Sequence, residues 1–202
     1  MSKAAYDNLN YSTLRESVAS AASDIVAASM NALGDETIYG FAFCPDEDLQ
    51  SMFWMANTEE SLASSAAKLH KQAAKHGSDQ TLEEITEILR FGCPEWAYGE
   101  ESLDISVPFD SDLGLHEIWA AFRRLGLDGV DYDKGFAIVR AKCLDAIANG
   151  LRDYRKTASL KRDFVLLVQF PDSGDIPVLL KLAKQTNSPQ TFRRLKAVYE
   201  LE

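Results

Sequence analysis

The sequence predicts an α+β fold: a small, mostly antiparallel sheet, made from an early hairpin and a late central strand, packed with several helices. Three observations carry this reading. Long segments place apolar residues at helical spacing. Two runs rich in aromatic and β-branched residues, 37–44 and 49–56, flank an acidic turn. A nearly continuous apolar run, 163–170, arrives only after a series of helices. Strands early and late, with helices between, require the last strand to pair with the hairpin. The 202 residues, 46% hydrophobic and 26% charged, are read as one domain, 1–202, large enough to bury a core without metals or crosslinks.

The first helix is expected to start at Ser12 or Thr13, with Glu16 completing a capping box, and to run to about Leu33. Leu14, Val18, Ala21, Ala22, Ile25, Val26, Met30 and Leu33 form its apolar stripe, and its Ala/Ser-rich remainder suggests close packing against a neighbour. Gly34-Asp35 stops it. The hairpin follows, turning at Pro45-Asp46-Glu47-Asp48. Asn57 or Thr58 caps a helix that ends near His76-Gly77, with Glu59 and Glu60 in its favourable first turn. A shorter helix, 81–90, opens on the Thr81/Glu84 box. After an irregular acidic segment, Asp112 is expected to open a helix with Ile118, Trp119, Phe122 and Leu125 inward, closed by Gly126. Asp133 is expected to cap the next, 134–154. The strand 163–170 reads as buried on both faces at the sheet centre. Two helices finish the chain, 176–185 and 189–201, the second with Ser188 as cap and Pro189 at its first position.

Charge is distributed unevenly. From Glu83 to Glu117, ten acidic residues (Glu83, Glu84, Glu87, Glu95, Glu100, Glu101, Asp104, Asp110, Asp112 and Glu117) face one base, Arg90, among Phe91, Trp96, Tyr98 and Phe109. Such self-repulsion opposes compaction and is expected to be dispersed in solvent or aimed at a cationic partner. A net charge of −10 speaks against nucleic acid and against anionic membrane surfaces, because phosphate contacts need clustered Lys and Arg. The opposite sign gathers in Arg140, Lys142, Arg152, Arg155, Lys156, Lys161 and Arg162, read as a face balancing the acidic half or orienting a partner or a second copy.

Catalytic signatures are lacking. His70, His76 and His116 have no pairing at metal-ligand spacing, and no glycine-rich phosphate loop exists, so no metal and no cofactor is expected. Asp46-Glu47-Asp48 lacks the spacing, glycine and closing glutamate of an EF-hand. Cys93 sits among carboxylates that would raise its pKa, and Cys44 and Cys143 read as small buried hydrophobes. Three scattered cysteines and a polar N-terminus suggest a reducing, cytoplasmic location. Trp54 and Trp119 read as core. Trp96, between Glu95 and Tyr98, suits either an interface or a plug on the sheet edge.

Three segments resemble an uncharacterised bacterial domain family known as a domain of unknown function. Tyr39-Gly40-Phe41-Ala42-Phe43, the Asp46-Glu47-Asp48 turn and Ala56-Asn57-Thr58-Glu59-Glu60 are similar to its aromatic strand, acidic turn and A-N-T-E-E helix start. Phe91 to Tyr98 resembles its W-S-P-x-E-W-A-Y-E motif but departs from it at Phe91, Gly92 and Cys93. Phe164 to Ser173 resembles its late strand and D-S turn. The resemblance supplies no catalytic residues and implies an association with secreted antibacterial toxins.

The resulting expectation is an acidic cytoplasmic binding protein, an immunity protein for a basic toxin or effector. Glu95, Glu100, Glu101 and Asp104 would supply charge, and Trp96 and Tyr98 apolar anchors. Two alternatives stand beside it: a hydrolase using paired carboxylates near Glu95, and a regulatory adaptor that self-associates as a homodimer through its basic and acidic faces.

Overall fold

Local capping sets most of the helix starts. The computed structural model describes residues 4–103, 105, 113–125, 129–170 and 175–200. After the short turn α1 (Ala4–Asp7), helix α2 (Tyr11–Leu33) is capped by Asn10, whose side chain accepts from the Thr13 N–H. Asn10, and not Ser12 or Thr13, therefore starts the helix, and Gly34 closes it at a positive φ of 60°. Thr58 caps α3 (Glu59–Lys75), and the Thr81/Glu84 capping box opens α4 (Leu82–Phe91). A 3₁₀ turn (Cys93–Glu95) follows α4 directly. Helix α5 (Leu115–Arg123) starts at Gly114; the expected cap Asp112 and stop Gly126 lie outside the described residues. Helix α6 (Gly129–Thr157) begins earlier than expected and carries Asp133 within it. Asp175 and Ser188 cap α7 (Ile176–Thr186) and α8 (Pro189–Tyr199), each with a proline in the first turn, where its missing N–H leaves no donor unsatisfied.

The sheet has the order β3-β2-β1-β4. Strands β1 (Ile38–Pro45) and β2 (Met52–Thr58) form the expected antiparallel hairpin, with Phe43 opposite Trp54. The two-residue β3 (Tyr98–Gly99) adds antiparallel to Met55 and Ala56. Strand β4 (Val165–Val168) pairs with the hairpin as required, but it runs parallel to β1 and lies at the edge. The sheet is thus mixed, and the expected central position of β4 is corrected. Its apolar run reports cover on both faces, which an edge strand can also have.

Two apolar clusters sandwich the sheet. Phe41, Phe43, Trp54, Leu166 and Val168 pack with α2, α5 and α6 on one face. Ala42, Cys44, Val165 and Leu167 pack with α3, α4, α7 and α8 on the other. The expected close approach of α2 is made at Gly150 of α6, where an added Cβ would lie 2.6 Å from the Arg15 carbonyl. Met30 of the expected stripe is instead exposed, and Ser29 is buried. Among the described residues, no helix is long and apolar enough to cross a membrane.

Candidate functional site

Tyr98–Gly99, within the acidic aromatic segment, forms the outer edge of the sheet beside β2. The 3₁₀ turn after α4 carries the chain across the sheet, and Trp96 pins it there. Its ring is buried, its Nε1 donates to the Leu89 carbonyl at 3.2 Å, and it meets Tyr39 edge-on at 5.8 Å. Gly40 makes room: a Cβ there would approach the indole to 2.7 Å. Trp96 therefore plugs the sheet and offers no surface to a partner, which corrects its expected role as an interface anchor. The physical reason is that an indole beside a side-chain-free strand position buries more area inward than outward.

Tyr98 is half-buried. Its hydroxyl donates toward both carboxylate oxygens of Glu36, at 2.9 and 3.1 Å, and the Thr58 hydroxyl donates to Glu36 as well, at 2.6 Å. Burial, then the Glu36 carboxylate, pushes the Tyr98 phenol pKa up. This network ties β3 to the start of α3, so Tyr98 positions the edge. Glu95, Glu100 and Glu101 are exposed, and Asp104 lies outside the described residues.

Of the remaining acidic residues of the segment, Glu83 and Glu117 are exposed, while Glu84 and Glu87 are engaged within the fold. Glu84 accepts from the Thr81 backbone N–H, which holds its carboxyl below the usual range. Glu87 bridges Arg90 and Arg194, and Glu59 grips Arg90 through two bonds of 2.7 and 2.8 Å. Glu59 and Glu87 are thus neutralised within the fold, Glu87 in part by a late arginine, while Glu84 is held by Thr81. Among the described residues, Glu95, Glu100 and Glu101 have no ion-pair partner.

Glu100 and Glu101 rim a cleft of about 510 Å³ whose other walls are Phe53, Trp54, Met55, Ala97, Gly99 and Ser102. Phe53 is 39% exposed on β2, an apolar surface that sequence reasoning passed over because Met52 and Trp54 on either side read as one apolar run. Partial burial, then the neighbouring Glu101, raises the Glu100 carboxyl pKa. The arrangement can attract a cation and offer apolar contact beside it.

Other expected chemistry is absorbed by the fold. Asp46 accepts from the N–H groups of Gln50 and Ser51 and closes the hairpin turn, so it is structural. No metal-holding group of His, Cys, Asp and Glu occurs among the described residues. Cys93 is buried 3.3 Å from Cys44, Sγ to Sγ, and burial pushes its thiol up, with Cys44 adding to the effect. The basic stretch is mostly engaged internally. Arg140 donates to the Glu47 carbonyl, Lys142 pairs with Asp7, Lys156 pairs with Asp153, and Arg155 donates to the carbonyls of Thr186, Lys161 and Phe164.

No curated protein and no solved structure matches the chain. Residues 18–183, from within α2 into α7 and including all four strands, match the family described as Domain of unknown function (DUF4303), and the chain belongs to that family.

Proposed function

We propose that this chain is a binding protein whose acidic sheet edge captures a basic protein, in the most concrete form an immunity protein that neutralises a bacterial toxin or effector. The observation that carries the reading is the adjacent pair Glu100 and Glu101, exposed, with no ion-pair partner among the described residues, on the rim of a cleft also lined by Phe53 and Met55. Elsewhere in the same segment Glu87 is matched by Arg90 and Arg194. Here the repulsion is left standing, and a cationic partner would relieve it. Glu95 extends the same field on the neighbouring turn. Phe53 takes the role of apolar anchor, while Trp96 and Tyr98 hold the edge in place.

Steering by such a field speeds association and is screened by salt. The test is growth protection. The product of the gene immediately upstream would be expressed in a sensitive host, with and without the chain. The wild type should protect, and E100K/E101K should protect poorly while melting normally. Equal protection by the double variant would overturn the reading, as would an upstream product that harms no cell.

One observation favours a second reading, a carboxylate-dependent hydrolase. A carboxyl with raised pKa in a cleft is what a general acid requires, and Glu100 has this property. In that case Glu100→Gln would abolish turnover of a substrate, whereas the binding reading expects it only to slow association.

A further inference from the structure

Cys44 and Cys93 are distant in sequence, yet their Sγ atoms face each other at 3.3 Å and neither side chain is exposed. The recognition surface does not use them. Cys44 lies near the end of β1, opposite Phe53 of β2, on a strand flanked by both β2 and β4. Cys93 opens the 3₁₀ turn between α4 and β3 and is its inward residue, because Pro94 and Glu95 are exposed. That turn has no side-chain cap. Its hold on the sheet is local: the Cys93 N–H donates to Gln169 Oε1 at 3.2 Å, and the Trp96 indole follows as a plug. Cys143 packs in the apolar cluster on the other face of the sheet.

A disulfide holds its sulfurs at about 2.05 Å, so these two must close by only about 1.3 Å. The two residues differ in how they reach solvent. Exposing Cys44 means opening a strand paired on both sides, whereas exposing Cys93 means lifting one short turn. Cys93 is therefore the thiol that meets solvent first.

We propose that Cys44 and Cys93 are a peroxide-responsive pair, closing to an intrachain disulfide that staples the 3₁₀ turn to β1. When the turn lifts, the Cys93 sulfur attacks one peroxide oxygen; the O–O bond breaks, water leaves, and Cys93 becomes a sulfenic acid. When the turn closes, the Cys44 sulfur attacks that of Cys93. The S–O bond breaks, and the hydroxyl leaves as a second water with the Cys44 proton. Two thiols together lose two electrons, and one peroxide is reduced to two waters. Burial pushes the Cys93 thiol up, so the closed protein reacts slowly and lifting of the turn sets the rate. The new bond closes the loop 44–93, which contains β2, α3 and α4, and it tethers the chain that leads to Trp96 and β3.

The test is hydrogen peroxide on the full chain, followed by thiol counting in denaturant and mapping of non-reduced peptides. Of the three thiols, Cys143 alone should remain, with a single 44–93 crosslink in the monomer that dithiothreitol reverses. The urea midpoint of the oxidised chain should lie above that of the reduced one. Cys44→Ala and Cys93→Ala separate the two roles. Dimedone should label Cys93 in the first variant and leave Cys44 unlabelled in the second; the reverse pattern would overturn the assigned order. Three thiols left after peroxide has consumed free cysteine in the same tube would overturn the proposal, as would a crosslink through Cys143 or between chains. An oxidised chain less stable than the reduced one would overturn the staple. Thiol count and mapping are read on the wild type, so they decide the matter even where a variant fails to fold.

Discussion

The two edges of the sheet solve the same problem in opposite ways. On the β4 side, the exposed backbone is answered by side chains from the end of α7. Leu166 N–H donates to Asn187 Oδ1 at 2.9 Å, and the Leu166 carbonyl accepts from Asn187 Nδ2 and from the Thr186 hydroxyl, both at 2.7 Å. Arg155 donates to the Phe164 carbonyl just before the strand, and Thr191 Oγ1 donates to that of Arg162. An amide and a hydroxyl thus stand in for a neighbouring strand. On the β2 side, β3 provides two residues and then turns away, and the space beyond holds unpaired glutamates and a half-exposed phenylalanine. Edges are commonly blunted to prevent unwanted pairing. Here one is sealed by covalently attached hydrogen-bonding groups, and the other is guarded by charge alone. The seal blocks pairing at Leu166, whereas charge would disfavour acidic partners and favour basic ones.

Several substitutions would break or sharpen this contrast. The largest effect is expected at Trp96, which holds the open edge against the sheet. Trp96→Ala leaves a cavity over Gly40 and orphans the Leu89 contact, so urea unfolding should show a loss of about 3–5 kcal/mol. Next comes the sealed edge. Asn187→Ala leaves the Leu166 N–H without its acceptor and should cost about 1–3 kcal/mol. It should also convert that side into a second open edge, detectable as concentration-dependent light scattering that the wild type lacks. If Asn187→Ala stays monomeric and fully stable, the seal is not what it is taken to be.

Smaller effects belong to the paired acidic residues. Arg194→Gln breaks the bidentate contact to Glu87 on a partly exposed surface, and about 1 kcal/mol or less should be lost. The smallest stability effect, of opposite sign, is expected at Glu100. Its carboxyl titrates above the usual range in the folded state, so the folded chain holds that proton more tightly than the unfolded one. Stability from this group is therefore present at low pH and lost as pH rises through the raised value. Glu100→Gln should melt slightly higher than wild type at pH 7, and the two should coincide near about pH 3, where both side chains are neutral. A lower melting temperature for the variant at pH 7 would show that Glu100 has a stabilising partner.

Much of the fold was legible because caps and stops act locally. Thr58, Thr81 with Glu84, Ser188 with Pro189, and Gly34 mark their helix ends by backbone chemistry that does not depend on the rest of the chain. The place and direction of β4 were not legible. Val165–Val168 is apolar because both faces are covered, and that pattern is the same for an edge strand sealed by Asn187 and Thr186 as for a central one. At the candidate site, the exposure of Glu95, Glu100 and Glu101 followed from charge density, but the burial of Trp96 did not. The available signal was Gly40, a glycine in the interior of a strand, which marks a close approach by something bulky. Phe53 escaped notice because the sheet ends abruptly beside it, and that depends on Gly99 turning its backbone toward Ser102 and Leu103.

The contrast between the edges is tested most directly by hydrogen exchange of two amides in the free protein, Met52 and Leu166. Sealing by Asn187 predicts that the Leu166 N–H exchanges only through large-scale opening, while the Met52 N–H, beyond the residues that β3 pairs, exchanges orders of magnitude faster. Equal, strong protection of both amides would mean that the β2 edge is already closed, and the recognition surface placed there would have to be abandoned.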